Sequence, residues 1–126
     1  QHRRAPASRP GRRAPAVVVV FVVLFFAAGA THAMSMKIAA VQMVSGPRPD
    51  ENLDRAEARV AEAAAQGAEL VALPEYFCLM GLRDRDKLAI AEPDGDGPIQ
   101  RRLAQIAARH RVWLVAGSLP LAVPGG

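Results

Sequence analysis

Three short, uninterrupted apolar runs alternating with two segments of helical length constrain this chain more than any other feature. The runs are Lys37-Ile38-Ala39-Ala40-Val41-Gln42-Met43, Leu70-Val71-Ala72-Leu73 and Val112-Trp113-Leu114-Val115-Ala116. Each has the length of a strand and lacks the polar alternation of a half-solvated one, so each reads as a strand within a layered core. After the first run, Ser45-Gly46-Pro47 makes a turn and Pro49-Asp50-Glu51-Asn52 opens a helix, with Asp50 or Asn52 as its N-cap. Leu53, Ala56, Val60, Ala63 and Ala64 recur at helical spacing, and Gly67 stops the pattern. Pro98 suits the first turn of a second helix, whose apolar face is Ile99, Leu103, Ile106 and Ala107. Residues 75–97 between them read as an irregular connection, with Pro93-Asp94-Gly95-Asp96-Gly97 as its clearest turn. The order β-α-β-loop-α-β predicts an α/β layered fold.

Residues 1–33 are a different kind of sequence. Arg, Pro and Ala fill positions 1–15, and an apolar run follows from Ala16 to Ala30. A basic stretch, an apolar run of about 15 residues and a Thr31-His32-Ala33 end resemble a secretory signal peptide. The run is short for a membrane span, which needs about 20 residues, though a tilted anchor is compatible with it. The competing reading is an over-extended reading frame, because the chain starts with Gln1 and Met34 and Met36 stand just before the first strand. Translation from either methionine implies a cytoplasmic protein, and a real leader implies export or anchoring. On both readings the fold is sought in residues 34–126.

Charge and cysteine content exclude several classes. The net charge of +4 is misleading, because five of the 16 basic residues are arginines in the first 33 positions, where there is no acid. The rest of the chain has eleven basic against twelve acidic residues, interspersed and without aromatic interleaving, so nucleic-acid binding has no support. One cysteine, Cys78, excludes an internal disulfide framework. The scattered histidines and the Asp94-Gly95-Asp96-Gly97 stretch lack the ligand spacing of zinc or calcium sites. His110, near the end of the second helix, suits a structural role at a helix carboxyl end.

In open α/β sheets ligands gather beyond the carboxyl ends of the strands. That rule singles out Glu75, which follows the second strand immediately behind Pro74. A carboxylate held there and partly desolvated has the raised pKa of a general base; a solvated loop glutamate or a capping acid gives the same spacing. Tyr76 and Phe77 either line the pocket or pack beneath it.

The combination Lys37–Met43, Asn52-Leu53, Leu70-Val71-Ala72-Leu73-Pro74-Glu75-Tyr76-Phe77, Gly95-Asp96-Gly97-Pro98 and Val115-Ala116-Gly117-Ser118, in this order, resembles the nitrilase superfamily of carbon–nitrogen hydrolases. Within it the pattern is similar to the small-amide branch of omega-amidase-like and deaminated-glutathione-amidase-like proteins. The resemblance implies a four-layer α-β-β-α sandwich of which residues 34–126 form the N-terminal part. It implies hydrolysis of a small amide or nitrile by a Glu-Lys-Cys triad without metal or organic cofactor, with Glu75 as the base. The lysine and the nucleophilic cysteine of the family come later in the sequence than Lys37, Lys87 or Cys78. The chain therefore reads as cut off before both and inactive by itself, with Cys78 as a small buried or pocket-lining residue. Homo-oligomers are the family habit. Two rival functions are a membrane-tethered relative acting in lipoprotein acylation and an exported, non-catalytic α/β binding module.

Overall fold

The structure, a computed structural model, describes residues 17–24 and 34–123. Its elements run β1 (Val17–Leu24), β2 (Met34–Val41), α1 (Pro49–Ala65), β3 (Leu70–Ala72), a 3-10 helix (Asp84–Ile90), α2 (Pro98–His110) and β4 (Trp113–Val115). The four strands form one sheet in the order β1-β2-β3-β4. The β2-β3 and β3-β4 pairs are parallel, as two helical crossovers require. The strand β1, drawn from the apolar run near the amino terminus, pairs antiparallel with β2 at the edge, Val17 opposite Val41 and Leu24 opposite Met34. The rest of residues 1–33 lies outside the described residues. Among the described residues no helix is long and apolar enough to cross a membrane.

The register sorts side chains by face. Ala39, Val71 and Leu114 are aligned across the sheet and point to the helices, packing with Leu53, Ala56, Val60 and Ala63 of α1 and Ile99, Leu103 and Ile106 of α2. The alternate rows, Ile38-Leu70-Trp113 and Ala40-Ala72-Val115, point the other way. That second face is uncovered at β4, where Trp113 is 74% and Val115 52% exposed. Strands that read from sequence as buried on both faces thus have helices on one side only.

Helix α1 starts two to four residues earlier than the capping signals suggest. Arg48 is the N-cap residue, without a side-chain cap, and Pro49 fills the first position, where a missing N–H costs nothing. Neither Asp50 nor Asn52 caps; Asp50 stays in the first turn and Asn52 turns inward, with no exposed surface. At the other end Gly67, at φ +86°, allows its own N–H and that of Ala68 to reach the carbonyls of Ala64 and Ala63 (2.9 and 3.0 Å). This is the glycine-terminated arrangement expected there.

The amino terminus of α2 is capped from a distance. The carboxylate of Glu92, 5% exposed, accepts from the backbone N–H groups of Ile99 (2.6 Å) and Gln100 (3.1 Å) and from the Gln100 side chain (3.2 Å). Burial works to raise its pKa, but these donors outweigh burial and hold it below the ordinary glutamate range. The two helices are joined on the outside by Glu57 of α1, which accepts from Arg102 (2.8 Å) and pairs with Arg109. The Arg102 hydrogen bond is the main cause of its lowered pKa. His110 Nε2 lies 4.0 Å from Glu57 and is buried without a hydrogen-bond partner.

Gly117, just beyond β4, packs so closely on the end of β3 that a Cβ there would lie 2.7 Å from the Leu73 carbonyl oxygen and 2.8 Å from that of Pro74. Gly117→Ala should therefore lower stability by about 1–3 kcal/mol, the cost of overfilling packed space. Gly46→Ala, whose methyl would meet nothing within 4 Å, serves as the control in the same thermal melts. For Glu92 the sign follows from its depressed pKa. The carboxylate's stabilisation is present above the ordinary value of 4.5 and is lost as pH falls through the folded value. Glu92→Gln should thus lower Tm near neutral pH, and its deficit against wild type should shrink on acidification.

Candidate active site

Pro74 stops β3, and residues 74–77 form a turn closed by the Phe77 N–H donating to the Pro74 carbonyl at 3.2 Å. Glu75 and Tyr76 are its two central residues. Tyr76 has φ +56°, a left-handed conformation that glycine or asparagine usually supplies at that place in a turn. A tyrosine there costs about 1–2 kcal/mol, so the surrounding contacts must hold it. The turn presents Glu75 at the carboxyl end of the central strand pair, where the strand-end rule looks for ligands.

The segment is fastened to two neighbouring loops. Ser45, after β2, donates from Oγ to the Phe77 carbonyl at 2.8 Å. The Asn52 amide accepts from the Gly46 N–H (2.8 Å) and donates to the Gly46 carbonyl (2.7 Å) and the Cys78 carbonyl (3.0 Å). Both of its N–H donors are therefore used. Gly46 O also accepts from Met80 N–H at 3.0 Å. From the β4 side, Ser118 Oγ accepts from the Tyr76 N–H at 3.4 Å.

A cavity of about 200 Å³ opens beside this turn, lined by Glu75, Tyr76, Cys78, Lys87, Ser118 and Leu119 among others. Lys87, on the 3-10 helix, holds its ammonium 5.5 Å from the centre of the Tyr76 ring, a cation–π contact that forms one wall. Tyr76 is 42% exposed and also borders a second cavity of about 460 Å³, reaching to Met80, Leu82 and Arg83. Phe77 lines neither cavity; it is fully buried in the core, so of the two places open to it the structure uses packing. Glu75 is exposed, and the desolvation expected of a base is not supplied by the described residues.

Cys78 is 1% exposed, and burial is the main cause that pushes its thiol pKa up. A buried thiol held away from ionisation is a poor nucleophile, although it shares a cavity with Glu75 and Lys87. The ties made by Ser45, Asn52 and Ser118 have no sequence signal of their own. Their partners at residues 76–78 are backbone groups 26 to 42 residues away, and only the pairing of strand ends brings them together.

Residues 37–125 match the family described as carbon-nitrogen hydrolase. A deaminated glutathione amidase of Synechocystis is 40% identical over 87 residues, covering 69% of this chain and 31% of the relative. An omega-amidase of Xenopus tropicalis is 36% identical over 85 residues, covering 67% of this chain and 30% of the relative. A nitrilase homolog of Dictyostelium discoideum is 34% identical over 85 residues, covering 67% and 25%. The chain thus spans about a quarter to a third of the length of these curated relatives. With the match covering well over half of its residues, this chain belongs to the carbon–nitrogen hydrolase family.

Proposed function

We propose that this chain supplies the general base, Glu75, of an amidase that cleaves small amides into a carboxylic acid and ammonia. The observation that carries the reading is the placement of Glu75 on a strained, tightly fastened turn at the end of β3, opening on a cavity, within the family match. Two of the relatives are amidases, which favours amides over nitriles as the substrate class.

In the proposed reaction, Glu75 takes the proton of a cysteine thiol, and the thiolate attacks the amide carbon. A lysine stabilises the negative charge on the tetrahedral species. The carbon–nitrogen bond then breaks, the glutamic acid returns its proton to the departing nitrogen, and a thioester remains. Water, deprotonated by Glu75, attacks the thioester and releases the acid with the thiol restored. The triad's lysine and cysteine belong to the remaining part of the family's length, so the segment described has one of three groups and is inactive alone. Tyr76 lines the substrate pocket.

The bare sheet face at Trp113 and Val115 supports a second sheet packed against it, as in a four-layer α-β-β-α sandwich. Such a layer would exclude the water that now reaches Glu75. On this reading residues 34–126 are the N-terminal portion of the hydrolase domain and the full-length protein forms homo-oligomers.

In the full-length protein, Glu75→Gln should lower amidase turnover by about 10²–10⁴-fold, the usual share of a general base, while circular dichroism stays unchanged. Wild-type turnover in that variant would refute the assignment. Cys78→Ser should leave turnover and thioester formation largely in place; loss of the thioester would make Cys78 the nucleophile instead.

A further inference from the structure

The turn carrying Glu75 is gripped at three consecutive residues by side chains that take no part in the proposed chemistry. Tyr76 N–H is held by Ser118, the Phe77 carbonyl by Ser45 and the Cys78 carbonyl by Asn52. The three grips come from different places in the chain: the loop after β4, the loop after β2 and the start of α1. We infer that Ser45, Asn52 and Ser118 are positioning residues that set the direction of the Glu75 carboxylate by fixing the backbone behind it. This inference rests on the reading of Glu75 as the base.

Two observations separate positioning from ordinary loop bracing. Among the described residues the Glu75 carboxylate makes no hydrogen bond or ion pair, so within them its aim comes from the backbone. The backbone is also at its least relaxed there, because Tyr76 sits at φ +56°. Freed from its grips, such a turn relaxes toward negative φ at residue 76 and swings the preceding peptide, and Glu75 with it. Phe77, fully buried, fixes the far end, so the rotation concentrates on the Glu75–Tyr76 pair. Asn52 adds reach, since the same amide that holds Cys78 also holds both backbone groups of Gly46.

The test uses the full-length amidase and a small amide substrate, with kcat, KM and the pH dependence of kcat measured separately. Asn52→Ala leaves the Gly46 N–H and the Cys78 carbonyl without partners and can fail to fold, so Ser45→Ala is the primary variant and Ser118→Ala the second. Ser45→Ala should lower kcat by about tenfold or more, as a misaimed catalytic group does, while KM changes little. The acidic limb of the kcat profile should shift with it, and Ser45→Thr, which keeps the hydroxyl, should restore both. Introduced into Glu75→Gln, Ser45→Ala should have no further effect on kcat, because it acts only through the base. A lower Tm with unchanged kcat and pH profile would overturn the inference, and so would a full, independent loss in the Glu75→Gln background. If instead Glu75→Gln alone retained wild-type turnover, the reading of the base would fall first, and the two failures are thereby distinguished.

Discussion

A side chain just past the end of a parallel strand, as Glu75 is, has no sheet hydrogen bonds beyond it, so other groups must define the backbone there. The buried amide of Asn52 meets that constraint for most of this structure. It belongs to α1, closes the loop after β2 through Gly46 and holds the segment after β3 through Cys78. A buried amide with its hydrogen bonds made is stabilising, whereas one left without partners costs about 1–3 kcal/mol per orphaned group. The geometry of the three elements is therefore adjusted as a unit. Gly117 completes the arrangement by letting the strand-end segment of β4 lie directly against Leu73 and Pro74.

The sheet itself is one-sided. Ala39, Val71 and Leu114 meet the helices, while Trp113 and Val115 on the opposite face meet solvent. An exposed tryptophan flanked by valine on a sheet face is apolar surface that a folded protein normally covers. The proposed second sheet accounts for it, and the same layer would bring a lysine and a cysteine toward the strand ends. Both crossovers, β2-α1-β3 and β3-α2-β4, put their helices on one face and leave the other free for that contact.

Local chemistry made the elements legible in the sequence. Pro49, Gly67, Pro98 and the apolar runs act within a few residues, and the helices fall at Pro49–Ala65, ahead of its expected cap, and at Pro98–His110. Where the reading slipped, the deciding partner was distant. Asn52 looks like a cap because asparagine near a helix start usually is one; it turns inward instead, to Gly46 and to Cys78, which lies 26 residues on. Residues 42 and 43 read as strand by apolarity, but β2 ends at Val41, where the chain bends into the loop that Asn52 closes. Glu92 gave no capping signal, since its acceptor oxygens serve N–H groups seven and eight residues ahead, across a glycine turn. Burial of one sheet face and exposure of the other cannot be distinguished in short alanine- and valine-rich strands, because both faces carry the same residue types. Of the site, the strand-end position of Glu75 was legible from Pro74 alone; the grips that hold its turn were not.

The cavity beside Glu75 holds a lysine and a cysteine of its own, and composition alone would assemble a triad from Glu75, Lys87 and Cys78. Physical chemistry argues against it. The Cys78 thiol is enclosed, its pKa raised by burial, and its residue is tied by Asn52 into the core side of the loop. Lys87 presents its ammonium to the Tyr76 ring at the wall of the cavity. A nucleophile must instead be ionisable when the base is at hand, and a base gains strength only when water is displaced from it. Glu75 is open to solvent; with Glu75 as the proposed base, both requirements call for protein that closes over the strand ends from the uncovered side. On the proposed reading, the same packing event that buries Trp113 and Val115 would also convert an exposed glutamate into a base.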